Sequence, residues 1–334
     1  MTDGDEVDVI VVGGGVAGLT TAVVLAEDGR RVAVWTREPA ERTTSAVAGG
    51  LWWPYRIEPE AQVGAWSLES LDVYAKAAAE GSHTGVRMVE GVHADTRLDT
   101  LGPWAARVPG LRAARPEECA GPGVWGRLPL IDMVAHLAWL RERLLAAGGT
   151  VEIREVASLA EPLARAAHVV NCSGLGARDL VPDDSVRPVR GQLVVVENPG
   201  IRTWYTAADS ASTETTYFLP QPGGLVLGGT AEDRVWSLEP DPAVAEAIVA
   251  RCARVRPEIA RARVIGHRVG LRPVRPAVRL EREHVNSGDG GRAVVHNYGH
   301  GGAGITVAWG CAREAARLLG EAREGRPHGE PAAS

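Results

Sequence analysis

The junction between a short apolar run, VDVIVV at 7–12, and the glycines Gly13, Gly15 and Gly18 constrains this chain more than any other stretch. The run reads as a buried parallel strand. Residues 17–28 continue with helical spacing and stop near Gly29. RVAVWT at 31–36 reads as a second strand, which completes a strand–helix–strand unit of about thirty residues. In G-x-G-x-x-G the first glycine allows the tight turn, the second lets the backbone approach a pyrophosphate, and the third permits close packing of helix on strand. The positive end of the helix then faces the phosphates. Glu38 lies 20 residues past Gly18, where a carboxylate binds a ribose hydroxyl; Arg37 beside it offers a phosphate contact instead. A glycine-rich surface turn would also explain the glycines, but their place between strand and helix favours a dinucleotide, either NAD or FAD.

At 334 residues the chain is long enough for two domains. Residues 130–147 carry an amphipathic helical pattern closed by Gly148 and Gly149. Strands are expected at 151–156, 168–173 and 192–197, and a hairpin at 217–220 and 225–229 that turns through Pro222, Gly223 and Gly224. Residues 68–79 and 241–254 read as helices. Residues 263–274 read as a strand leading into an extended Pro-bounded segment, 292–299 as a last strand and 304–319 as a last helix. Residues 84–130, rich in Gly, Pro and Arg, read as short strands and loops. This order interleaves two domains. An α/β domain takes 1–55, 128–190 and 278–322, a mainly antiparallel domain takes 56–127 and 191–277, and 323–334 form a disordered tail.

The net charge of −6, without long runs of one sign, gives no reason to expect nucleic acid or an anionic membrane surface. No apolar run is long enough to span a bilayer. Cys119, Cys172, Cys252 and Cys311 lie far apart and form no C-x-x-C pair, so reduced thiols are expected and a metal site is not. The acidic N-terminal stretch lacks a signal-peptide core and the C-terminus lacks Ser-Lys-Leu, which leads to the expectation of a cytoplasmic protein.

Three further stretches narrow the class: TTSAVAGGLWWPY (43–55), VGLRPVRPAVRLERE (269–283) and HNYGHGGAGITVAWGCA (296–312). With the glycine loop and VNCSG (170–174), they resemble the D-amino-acid oxidase family, which includes D-aspartate oxidases and belongs to the glutathione-reductase-like FAD group. The similarity covers most of the chain and is weakest over 84–128 and 200–214. It implies an α/β fold with a Rossmann-like FAD-binding domain interleaved with an antiparallel-sheet substrate domain. It also implies non-covalent FAD, a D-amino acid that loses a hydride from its α-carbon, and oxygen as acceptor. The products would be a 2-oxo acid, ammonia and hydrogen peroxide, and the assembly often a homodimer.

An α-carboxylate is held best by the rigid bidentate fork of arginine. Arg272, between Leu271 and Pro273, falls on the family's carboxylate-binding arginine, whereas Arg275 and Arg279 read as structural. Tyr217 matches a tyrosine that adds a hydrogen bond to the carboxylate; a ring packed in the core is the competing reading. The resemblance assigns the Gly302 carbonyl to the substrate amino group. It sets Gly299, Gly301, Gly302 and Gly304 beside the flavin, where backbone N–H groups at a helix start stabilise negative charge on the reduced ring. It adds Ile305 and Thr306 as flavin contacts, and Thr43, Thr44 and Ser45 at the phosphates and ribose. Gly49, Gly50 and Leu51 would run along the isoalloxazine, Val16 and Ala17 belong with the glycine loop, and Val156 and Ser173 touch the adenine half. Trp53 and Leu219 fall at the substrate pocket, as does Thr213, where many members carry a tyrosine on a lid loop. His300 and His296 read as structural, since hydride transfer needs no protein base at Cα, and Cys172 as a buried strand thiol.

Thr213 in place of a tyrosine leaves room for large side chains. Asp209 and Glu214, with no Arg or Lys over 206–216, disfavour acidic ones. Bulky neutral D-amino acids are therefore the expected substrates, extending to basic ones. D-Aspartate oxidase, glycine or sarcosine oxidase, and a flavin-binding dehydrogenase or non-catalytic flavoprotein are the alternatives.

Overall fold

The computed structural model describes residues 7–208, 214–285 and 292–320. Thr213, Asp209 and the tail expected at 323–334 lie outside the described residues. The chain opens with β1 (Val7–Val12), α1 (Val16–Glu27) and β2 (Val32–Thr36), the expected βαβ unit. There follow α2 (Thr44–Val47), α3 (Glu60–Glu80), β3 (Val86–Ala94), β4 (Arg112–Ala113), β5 (Gly123–Ile131), α4 (Met133–Ala146) and β6 (Thr150–Ile153). Next come α5 (Ala160–Leu163), β7 (Ala166–Asn171), α6 (Ala177–Leu180), β8 (Arg187–Val196) and β9 (Trp204–Ala208). The last part holds β10 (Glu214–Gln221), β11 (Gly224–Thr230), β12 (Glu232–Asp233), α7 (Pro242–Val255), β13 (Val264–His284), β14 (Ala293–His300) and α8 (Gly304–Gly320).

Among the described residues the strands join one mixed sheet in the order β4-β5-β3-β9-β10-β11-β8-β13-β14-β7-β1-β2-β6, with β12 on β8. The end from β14 to β6 is parallel. β1 lies between β2 and β7 and its Val9–Val12 stretch is buried, which is why it reads as an unbroken apolar run rather than an alternating one. α1 packs against α4 and α8, and α8 against α3. Seven of the ten tryptophans are buried, so in a chain with a single Phe they supply much of the aromatic core volume.

β13 joins the two halves. Its first part pairs with β8 from Val264 to Val274, its second with β14 from Arg279 to His284, and the register shifts between Val274 and Arg279. Pro276 sits in that shift and has no N–H to offer a ladder. The extended Pro-bounded segment of the sequence reading is thus the second half of a 21-residue strand, and the segments expected to form two domains contribute strands to one continuous sheet.

Three expectations change. Residues 130–131 belong to β5, and the helix expected from 130 starts only after Asp132. The Asp132 carboxylate accepts the N–H groups of Val134 and Ala135 at 3.2 and 3.3 Å, a cap that contributes about 1 kcal/mol. Residues 84–130 contain two nine-residue strands, β3 and β5, whose pattern is interrupted by Gly91, Gly126 and Pro129. A strand, β9, occupies the start of the segment read as a lid.

Candidate active site

A single cleft of about 1410 Å³ crosses the sheet. Its walls come from β2, β1 and β7 at one end, then from β13, β8, β11 and β10, and finally from β9 and β3. The first of these are the carboxyl ends of parallel strands, where open α/β sheets bind ligands.

At the β2 end the chain makes a dinucleotide cradle. A side chain at Gly13, whose φ is 117°, would overlap the Cys172 carbonyl at the end of β7, so only glycine fits. A side chain at Gly18 would overlap the Gly13 carbonyl, so this glycine lets α1 lie on the turn and does not line the cleft. Gly15, Val16 and Ala17 do line it, and the Val16 N–H donates to Ser45 Oγ at 3.0 Å. Ser45 therefore marks the positive end of α1. Arg37, Glu38, Thr43, Thr44, Val156 and Ser173 line the same cleft. So does Arg154, which sequence reasoning missed and whose guanidinium lies 4.1 Å from the Trp35 ring centroid. Gly49, Gly50 and Leu51 line the next stretch. Gly49 is held from the other half of the molecule, its carbonyl accepting from Gln221 Nε2 at 2.9 Å.

Farther along the cleft stand Arg272 and Tyr217. Arg272 donates to the Thr230 carbonyl at 2.9 Å, and its charge acts on the Tyr217 hydroxyl in the same cleft. Burial pushes the Tyr217 hydroxyl up to about 12, so it stays a donor at neutral pH. Two glycines absent from the sequence reading shape this pair. A Cβ on Gly191 would lie 2.5 Å from both terminal nitrogens of Arg272, and one on Gly228 would overlap the Tyr217 ring. Gly302 sits opposite, its Cβ position 3.5 Å from both Arg272 Cδ and Tyr55 Cδ1. Gly301, Gly302, Gly304 and Ile305 line the cleft at the start of α8, where the Gly301 N–H is taken by the Pro273 carbonyl at 3.0 Å. Trp53 and Leu219 line it as expected, joined by Tyr55, Arg56, His93, Thr206 and Thr215.

Thr306 corrects one expectation. It is 1% exposed and does not line the cleft. Its Oγ1 accepts from the Trp53 N–H at 3.2 Å and donates to the Trp53 carbonyl at 3.0 Å, so the hydroxyl fixes Trp53. Glu214 pairs with Arg251 at 3.0 Å, which weakens the repulsion of acidic substrates expected from it. Arg56, which precedes α3 and lies outside 206–216, adds a positive group to the cleft.

The remaining residues have structural partners. Arg275 pairs with Asp183 at 2.9 Å, and Arg279 pairs with Glu281 and donates to the Tyr298 hydroxyl. Burial alone would raise the Asp183 carboxyl, but hydrogen bonds from Ser185, Tyr298 and Arg275 hold it well below the usual carboxylate range. His296 sits 3.0 Å from Glu283. His300 Nε2 lies 3.0 Å from Asn297 Oδ1, and burial pushes its imidazole down to about 4, so it is neutral at pH 7. Cys172 is buried, which raises its thiol to about 12 and leaves it unreactive.

His136 is likewise pushed down to about 4 by burial. Both histidines bind protons more readily in the unfolded chain, so their stabilising contribution is complete above about pH 6.5 and is lost as pH falls through about 4. Denaturant unfolding at pH 7 and pH 4.5 should show stability falling, with a slope approaching about 1.4 kcal/mol per pH unit for each histidine. Equal stability at both values would mean that the imidazoles are solvated.

The family model for FAD-dependent oxidoreductases named DAO matches residues 8–318. The chain belongs to that family. The dinucleotide of the glycine loop is therefore FAD, not NAD, and the cradle, with glycine at each close approach and Glu38 beyond β2, fits it. A D-amino-acid oxidase of Streptomyces coelicolor is 70% identical over 319 residues, covering 95% of this chain and 98% of that protein. One from Rubrobacter xylanophilus is 50% identical, covering 94% and 96%. Among solved structures, glycine oxidase from Geobacillus kaustophilus shares the family fold with a TM-score of 0.79 at 20% identity, covering 95% of each chain. Among the described residues no group of His, Cys, Asp and Glu could hold a metal, and no helix is long and apolar enough to cross a membrane.

Proposed function

We propose that the chain oxidatively deaminates neutral D-amino acids, extending to basic ones. The reading is carried by one observation: the Arg272–Tyr217 pair and the dinucleotide cradle open on the same cleft. The D-amino-acid oxidases among its relatives support it. When bound, FAD supplies a hydride acceptor whose electron pair passes to oxygen as hydrogen peroxide.

The residues of the chain supply position. Arg272 holds the α-carboxylate by charge-assisted N–H donors, and Tyr217 adds an O–H donor. The Gly302 carbonyl accepts from the amine. With carboxylate and amine fixed, the side chain can point only toward the wall of β3, β9 and β10, and this selects one hand of the α-carbon. Holding three groups at once gives the near-attack geometry on which such transfers depend. The imino acid then meets water and hydrolyses to the 2-oxo acid and ammonia.

A peroxide assay across D- and L-amino acids tests the reading. Peroxide is expected with D-methionine, D-valine, D-phenylalanine and D-arginine and not with their L-forms. Turnover of D-aspartate should be lower by about tenfold or more, because the wall of β3, β9 and β10 offers its second carboxylate His93, Thr206 and Thr215, none of them a cation at pH 7. A preference for D-aspartate or glycine would move the chain to those branches. Flavin reduction without peroxide would make it a dehydrogenase.

A further inference from the structure

A row of side chains crosses the substrate half of the sheet. Tyr217 on β10 pairs with Thr206 on β9, and Thr206 pairs with His93 on β3. Residues in direct register share a face, and all three line the cleft. Gly228 on β11 is next in the row and leaves Tyr217 its space. His93 Nδ1 lies 2.6 Å from Thr206 Oγ1. The His93 ring lies tilted against Trp53 with centroids 4.5 Å apart, and Trp53 meets Trp104 edge-on at 5.4 Å. One ring nitrogen is therefore committed to Thr206, while Nε2 has no hydrogen-bond partner among the described residues. Burial pushes His93 down to about 4, so at pH 7 the imidazole is neutral and Nε2 is open to a single, uncharged hydrogen bond.

Neighbouring strands lie about 4.8 Å apart, which sets His93 about 10 Å from Tyr217 measured across the backbone. An amino acid anchored by its carboxylate at Arg272 and Tyr217 covers most of that distance with a side chain of about four unbranched heavy atoms. We propose that His93 and Thr206, held by Trp53, form a side-chain subsite that favours D-amino acids of glutamine length with a neutral hydrogen-bonding end. This rests on the deaminase reading above. A thioether or hydrocarbon end leaves the buried polar pair unanswered. A carboxylate end meets no formal charge there to offset its lost water.

D-Glutamine and D-methionine, similar in length and different at the tip, make the comparison. The readout is the ratio of their kcat/KM values for peroxide formation by the holoenzyme. In the wild type the ratio should favour D-glutamine by about tenfold, the discrimination of one neutral hydrogen bond. His93→Phe keeps a ring against Trp53 and should lower the ratio by about tenfold, chiefly through KM for D-glutamine. Thr206→Val removes the partner of Nδ1 with little change in shape and should lower it by about threefold. His93→Asn, which restores a hydrogen-bonding end, should recover part of the loss. If His93→Phe fails to fold, Thr206→Val carries the test. A wild-type preference for D-methionine, or a ratio unmoved in the variants, overturns the subsite while leaving the deaminase reading intact. Absence of peroxide from every D-amino acid overturns the deaminase reading itself.

Discussion

Replacing Arg272 by alanine is expected to lower kcat/KM for the best D-amino acid by a factor of about 10² to 10³, with the flavin content of the purified protein unchanged. The guanidinium is the group assigned to the α-carboxylate, and charge-assisted contacts of this kind are individually strong. Arg272 also donates to the Thr230 carbonyl, so Arg272→Lys is the informative companion. Lysine keeps the charge but loses the fork, and should recover little. Steady-state kinetics beside a flavin absorbance spectrum check both variants. Near-normal efficiency in Arg272→Ala would remove the residue from the site.

Adding one methyl group at Gly228 or Gly191 should be nearly as damaging. Alanine at 228 forces the Tyr217 ring away from its bed on β11, and alanine at 191 pushes the Arg272 guanidinium, whose terminal nitrogens lie 2.5 Å from the new Cβ. Displacements of about 1 Å in a positioning group cost about a hundredfold in rate. Both variants should keep FAD, since neither glycine belongs to the cradle at β1 and α1. If Gly191→Ala retains full activity, Arg272 can move without consequence and the clamp is looser than drawn.

The cofactor half was legible in the sequence because its chemistry is local. Gly13, Gly15, Gly18 and Glu38 lie within one βαβ unit, and their spacing carries the geometry. The substrate half depends on pairing across strands, which the chain order does not display. His93 and Thr206 are 113 positions apart and meet only because β3 and β9 are neighbours. Gly228 falls in an expected strand and Gly191 just ahead of one, and neither position shows which side chain lies on it. Thr306 sits where a flavin contact was expected, yet its hydroxyl turns to the Trp53 backbone, a choice of rotamer that no spacing reveals. The 130–147 pattern merged a strand end with a helix because both bury apolar residues, and only the Asp132 cap separates them.

The length of β13 limits how the enzyme can breathe. The strand bonded to β8 along its first part and to β14 along its second carries Arg272 near the end of the first, opposite Val189 of β8. Swinging the substrate half away as a rigid flap would therefore have to tear ladder hydrogen bonds on both sides of the carboxylate clamp. Among the described residues β13 runs unbroken through that junction. A single strand thus fixes the spacing between the carboxylate-binding arginine and the start of α8, and substrate has to fit a cleft whose two ends are tied together.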